Sequence, residues 1–171
     1  GIGSPCNPNK IANTFKSVKK ETVAPHTIAN YLSYMEDAFI IEKSMRYDIK
    51  GRKYIGTLSK YYFQDVGLRN ALLNFRQVEE THIIENVIYN ELRSRGYRVD
   101  VGIIEARTAL ERKLLEVDFV ANKGAKRYYI QSAFALPDEE KRQQEMASLK
   151  RIDDSFKKII IVREDIAPYY N

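Results

Sequence analysis

A turn flanked by two alternating runs, between Leu115 and Phe134, constrains this chain more than any other stretch. Leu115-Glu116-Val117-Asp118-Phe119-Val120 alternates apolar and acidic residues, Asn122-Lys123-Gly124 supplies residues that reverse a chain, and Tyr128 to Phe134 returns beside it. The spacing predicts a β-hairpin with Asp118 on the first strand across from Gln131 on the second. An aspartate in the middle of an apolar strand is disfavoured and is costly to bury without a partner, which marks Asp118 as a candidate site residue. A carboxylate beside a carboxamide oxygen suits a hard divalent cation such as Mg²⁺. Gln131 brings oxygen without charge, and it serves equally well as an ordinary interstrand hydrogen-bonder.

The rest of the chain supplies alternating helical and extended patterns. Pro8 opens a short amphipathic helix over about 8–19, with Ile11, Phe15 and Val18 at helical spacing. Pro25 opens a second, with Ile28, Leu32 and Met35 on one face and His26, Asn30 and Ser33 on the other. Extended runs from Phe39 to Tyr47 and from Tyr54 to Phe63 flank a basic turn, Asp48-Ile49-Lys50-Gly51-Arg52-Lys53. Helix, helix, strand, basic turn, strand is the order of a winged helix-turn-helix. A linking helix over about 66–75 follows, then a longer one from about Gln77 to Ser94, closed by Gly96. Strands are expected near 97–105, 115–121 and 127–134, with Ala106–Lys113 a hairpin loop. A helix opened by Pro137-Asp138-Glu139-Glu140 runs to about Arg151, and Lys158–Val162 reads as a last, buried strand. The second half is therefore αβββαβ. The expected class is α/β (α+β), with a winged-helix unit and linker helix over 1–76 and a second unit over 77–171.

With 171 residues, 44% hydrophobic and 30% charged, the chain can bury one good core or two small ones. Its net charge of +5 is unevenly spread: residues 1–76 hold twelve Lys/Arg against six Asp/Glu, and residues 77–171 sixteen against seventeen. Such asymmetry favours a polyanionic partner for the first half, although a solvated, lysine-rich surface gives the same count. On a winged helix, Asn30 is placed to read adenine, and His26, Ser33, Lys50, Arg52 and Lys53 to meet phosphates. Winged helices also serve protein contacts, so both partners stay open. The single cysteine, Cys6, forms no internal disulfide, and no charged-then-apolar leader opens the sequence, so a cytoplasmic setting is expected. Apolar runs such as Ile159–Val162 are too short to span a membrane. His26 and His82 lie far apart without a neighbouring cysteine, which argues against zinc.

Several motifs together carry a resemblance. They are Tyr31 to Ile41, Arg46-Tyr47-Asp48-Ile49-Lys50-Gly51, Lys60 to Asn70, Ile84-Glu85-Asn86-Val87-Ile88-Tyr89-Asn90-Glu91-Leu92, Arg95-Gly96-Tyr97, Glu116 to Val120, and Tyr129-Ile130-Gln131. The chain resembles the restriction-endonuclease-like, or PD-(D/E)xK, nuclease fold. More narrowly it resembles the region of unknown function at the C-terminal end of prokaryotic AAA-type ATPases. That resemblance implies that Glu85 on the long helix joins Asp118 and Gln131 around a divalent metal, with Mg²⁺ the candidate cofactor. It also implies a lysine two residues after Gln131, where this chain has Ala133. Lys126 and Lys141 are the candidates to replace it. No G-x-x-x-x-G-K-[ST] occurs, so ATP would bind only an N-terminal motor outside this sequence. The expectation is a DNA-binding or scaffold module with a degenerate nuclease-like site, with DNA and its own ATPase domain as partners. The alternatives are a residual Mg²⁺-dependent DNA endonuclease and a protein-interaction module.

Overall fold

The computed structural model describes residues 3–76, 79–107 and 112–163. Helix α1 (Pro8–Thr14) is capped by the Asn7 side chain and runs into a π-helical turn (Phe15–Lys19); α2 spans Pro25–Asp37. Strands β1 (Ile41–Asp48) and β2 (Lys53–Phe63) follow, then α3 (Val66–Leu72) and α4 (Glu80–Ser94). Strands β3 (Arg98–Arg107), β4 (Arg112–Lys123) and β5 (Lys126–Ala133) lead to α5 (Glu139–Leu149) and β6 (Lys157–Val162).

The strands form one six-stranded mixed sheet in the order β2-β1-β3-β4-β5-β6. The β1–β2, β3–β4 and β4–β5 pairs are antiparallel, whereas β1–β3 and β5–β6 are parallel. From α4 to β6 the elements follow the αβββαβ order read from the sequence. Strands β1 and β2 extend the same sheet, so hydrogen bonding is continuous from the first half of the chain into the second. Two details differ from the expected pattern. Of the stretch 106–113, Ala106, Arg107, Arg112 and Lys113 are strand, because Ile104 and Ala106 continue the buried phase of β3 and Ala106 and Arg107 pair with Lys113 and Arg112; residues 108–111 lie outside the described residues. Strand β6 is half-buried rather than buried, since it lies at the sheet edge with β5 as its neighbour.

Each face of the sheet carries its own core. Ile88 and Tyr89 of α4 pack with Tyr62, Val99, Phe119, Ala121 and Ile130 on one side. Leu149 at the end of α5, with Ile152, packs with Ile49, Ile104, Val117, Val120 and Tyr129 on the other. Val117 and Val120 are three apart and share a face, which a regular strand forbids. A β-bulge permits it: Asp100 pairs with Val120 and Gly102 with Val117, so β4 spends one residue more than β3 around Asp118. Gly102 is required opposite the bulge, because a Cβ there would sit 2.9 Å from Ile49, Val117 and Val120 side-chain carbons.

The end of β2 folds against α4. The Tyr62 ring stacks on Tyr89 at 4.1 Å between centroids and lies 6.0 Å from Phe119. Asn86, fully buried on α4, accepts from Phe63 N (2.8 Å) and donates to Phe63 O (2.7 Å), as a neighbouring strand would. Asn86→Ala strands both backbone groups, and the expected loss is about 2–4 kcal/mol of unfolding free energy in urea titrations. A loss under about 0.5 kcal/mol would show that this clamp does not hold β2.

Candidate functional site

The clamp on β2 places Lys60, two residues before Tyr62, inside the protein. Lysine carries its charge on a long flexible stem and is almost never fully buried unless paired; Lys60 is 2% exposed. Its Nζ lies 2.8 Å from Glu85 Oε1, 2.7 Å from Glu116 Oε1 and 4.0 Å from Asp118 Oδ1. Burial alone would lower the lysine pKa, but the three carboxylates outweigh it and hold the ammonium above its ordinary value.

Each acid has a distinct environment. Glu85 Oε1 also accepts from the Tyr62 hydroxyl at 2.6 Å, and burial together with the Glu85 charge keeps that phenol protonated. Gly3 packs over the other side of the carboxylate, where a Cβ would come within 2.7 Å of Oε2. Asp118 Oδ2 accepts from both the backbone N and the hydroxyl of Ser132, each at 2.7 Å. Burial and then the charge of Glu85 push the Asp118 carboxyl up to about 6, against the opposing pull of Lys60 and Ser132. Gln131 Oε1 lies 3.4 Å from Asp118 N, across the β4–β5 pair. The expected adjacency of Asp118 and Gln131 is therefore present.

Glu85, Asp118 and Gln131 line one cleft of about 300 Å³ between α4, β5 and α5, together with His82, Ala133 and Lys141. Lys141 is turned to Glu145 at 2.6 Å. Lys126 begins β5 and pairs across the turn with Lys123, five residues before Gln131. The ammonium that reaches the acids instead comes from β2. Sequence reasoning missed Lys60, Tyr62 and Glu116 as a unit. The available signal was phase: Lys60 and Tyr62 share the strand face that packs inward, and a lysine at such a position calls for an acid. Glu91, a further acid on α4, forms an exposed pair with Arg95.

The residues singled out for nucleic acid lie on other elements. Lys50, Arg52 and Lys53 are exposed at the β1–β2 turn, which Asp48 stabilises by accepting from Gly51 N at 2.9 Å. His26, Asn30 and Ser33 lie along one exposed face of α2.

Comparison with known proteins adds a relative and a partial family match. Residues 1–79 match the model of a domain of unknown function, DUF8612. Over 160 residues, 94% of this chain, the sequence is 37% identical to an uncharacterized protein of Haemophilus influenzae. The chain spans 37% of that protein's length. No solved structure matches it. Lys60 and Tyr62 fall inside the matched region, whereas Glu85, Glu116 and Asp118 fall beyond it, so the site draws on both parts of the chain. Among the described residues no helix is long and apolar enough to cross a membrane.

The donor chemistry of Glu85, Asp118 and Gln131 suits Mg²⁺, but their arrangement does not fit it. Glu85 Oε1 is committed to Lys60 and Tyr62, Asp118 Oδ2 to Ser132, and an ammonium stands where the acids converge. Among the described residues no group of three or more His, Cys, Asp or Glu is placed to hold a metal ion.

Proposed function

We propose that this chain is a nucleic-acid-binding or scaffold module built on a nuclease-like core, with its former metal site held closed by an internal lysine. The observation that carries this reading is Lys60 Nζ lying within 4.0 Å of Glu85, Glu116 and Asp118, the position a catalytic cation would need. A fixed ammonium balances the acids as a metal would, yet supplies neither a Lewis acid nor an activated water. Nucleic acid as partner is supported by the basic excess of residues 1–76, by the exposed Lys50, Arg52 and Lys53 and by the exposed polar residues of α2. The wider setting, an AAA-type ATPase carrying this region at its C-terminal end, belongs to the same proposal and needs a longer protein, as the Haemophilus relative is.

The test is a titration of DNA at two salt concentrations with Mg²⁺ or Mn²⁺ present. Affinity is expected to fall about tenfold or more as salt rises from 50 to 200 mM, for a site that releases several counterions. Replacing Lys50, Arg52 and Lys53 together by alanine should weaken binding and flatten that dependence. The DNA should stay intact. Affinity indifferent to salt overturns the binding reading. Metal-dependent cutting that disappears in Asp118→Asn overturns the closed-site reading and favours the residual endonuclease.

A further inference from the structure

A stripe of rings and guanidinium groups crosses the sheet outside the cleft. Phe156, Arg127, Tyr47, Tyr54 and Arg98 form an unbroken series. The Arg127 guanidinium lies 5.4 Å from the Phe156 ring and 5.7 Å from the Tyr47 ring, Tyr47 and Tyr54 are 5.6 Å apart, and Arg98 lies 5.5 Å from the Tyr54 ring. Its members come from four strands and the segment before β6, and none of them lines the cleft. Arg98, Asn122 and Arg127 stand in one cross-strand row, Arg98 opposite Asn122 and Asn122 opposite Arg127.

The stripe is both accessible and held in place. Tyr54 is 43% exposed, Phe156 39%, and the Arg98 side chain 65%. The Tyr54 hydroxyl accepts from Arg98 at 2.6 Å and donates to buried Asp100 at 3.1 Å, while Arg127 Nε donates to Asn122 at 2.7 Å. Asp154 accepts from Tyr129 at 2.6 Å beneath the stripe. Groups ordered this way lose little conformational freedom when a flat ligand covers them. The exposed Lys50, Arg52 and Lys53 directly precede Tyr54, so positive charge borders the tyrosine end.

We propose that this stripe is a stacking platform for single-stranded nucleic acid. Unpaired bases present a π face to rings and guanidinium planes, and the neighbouring cations follow the phosphates; a duplex hides those faces in its own stack. The assignment deepens the nucleic-acid reading and rests on it, but it concerns a different surface from the lysine-filled cleft.

Fluorescence anisotropy with a labelled oligothymidylate of about 15 nucleotides, and with a duplex of the same length, tests it. The single strand is expected to bind more tightly, with Tyr54→Ala and Phe156→Ala each weakening it about tenfold and Tyr54→Phe, which keeps the ring, weakening it less than Tyr54→Ala. If both alanine variants bind the oligomer as the parent does, the platform is overturned, while a loss in the Lys50, Arg52 and Lys53 alanine variant would leave the broader reading standing. Tighter binding of the duplex, indifferent to Tyr54, overturns the single-strand assignment. Absence of binding to either nucleic acid overturns both readings.

Discussion

Lys60→Met is expected to lower the unfolding free energy at pH 7 by about 3–5 kcal/mol, the usual cost of removing one partner from a buried ion pair. Methionine fills much of the same volume, so the loss would come from charge rather than from a cavity. Glu85 and Asp118, with side chains 10% and 11% exposed, would face each other without the ammonium between them, whereas Glu116, 33% exposed, can turn toward water. The deficit should shrink as pH falls, because protonating the stranded carboxylates removes the repulsion. Adding Glu85→Gln to Lys60→Met should restore part of the loss, and the size of that recovery measures the pair. Urea unfolding of the two single variants and the double variant decides it. A cost below about 1 kcal/mol for Lys60→Met would mean that water solvates the ammonium, and the closed-site reading would fall with it.

What the sequence disclosed and what it hid follow from the range of the interactions. The pairing of Asp118 with Gln131 was legible because it is local: strict alternation on both sides of a short turn fixes which residues meet. Glu85 was named through the resemblance, and helical spacing agrees with its direction, since Glu85, Ile88, Tyr89 and Leu92 share the face toward the sheet. The phase of Lys60 on β2 was legible, but its partners were not. Its partners lie 25, 56 and 58 residues away, and the register that brings β2 against α4 is set by Asn86 grasping the backbone of Phe63, a contact with no periodic trace. The bulge at Asp118 misled for a related reason: alternation puts Glu116, Asp118 and Val120 together, but one extra residue in β4 sends Val120 to the α5 side, where Val117 already lies. The lysine expected near Gln131 was sought close by in sequence, at Lys126 on β5 or Lys141 on α5, because a sequence ranks candidates by separation. The ammonium that stands beside the acids comes from another strand, β2.

Asp118→Asn is expected to stabilise the protein at neutral pH, by up to about 3 kcal/mol. The sign follows from the direction in which the fold shifts this carboxyl. Its pKa rises from an ordinary 3.8 to about 6, so between those values the folded chain keeps a proton that the unfolded chain has released. Stability from this group is therefore complete below about pH 4, declines as pH rises, and is lost above about pH 6. A rise of that size corresponds to about 3 kcal/mol, an upper bound because the denatured chain and local relaxation absorb part of it. Asparagine can still accept from Ser132 N and Oγ through its carbonyl oxygen, and it gives up only the 4.0 Å attraction to Lys60, whose closer partners are Glu85 and Glu116. Unfolding midpoints measured from pH 4 to pH 8 should coincide for parent and variant at the acid end and separate above pH 6, with the variant higher. An aspartate that costs stability at neutral pH would be one retained for something other than the fold, whether ion-pair geometry or a surviving chemistry. Destabilisation of equal size at pH 4 and pH 8 would instead make Asp118 a structural acceptor for Ser132, and the carboxylate cluster would lose its claim to be a site.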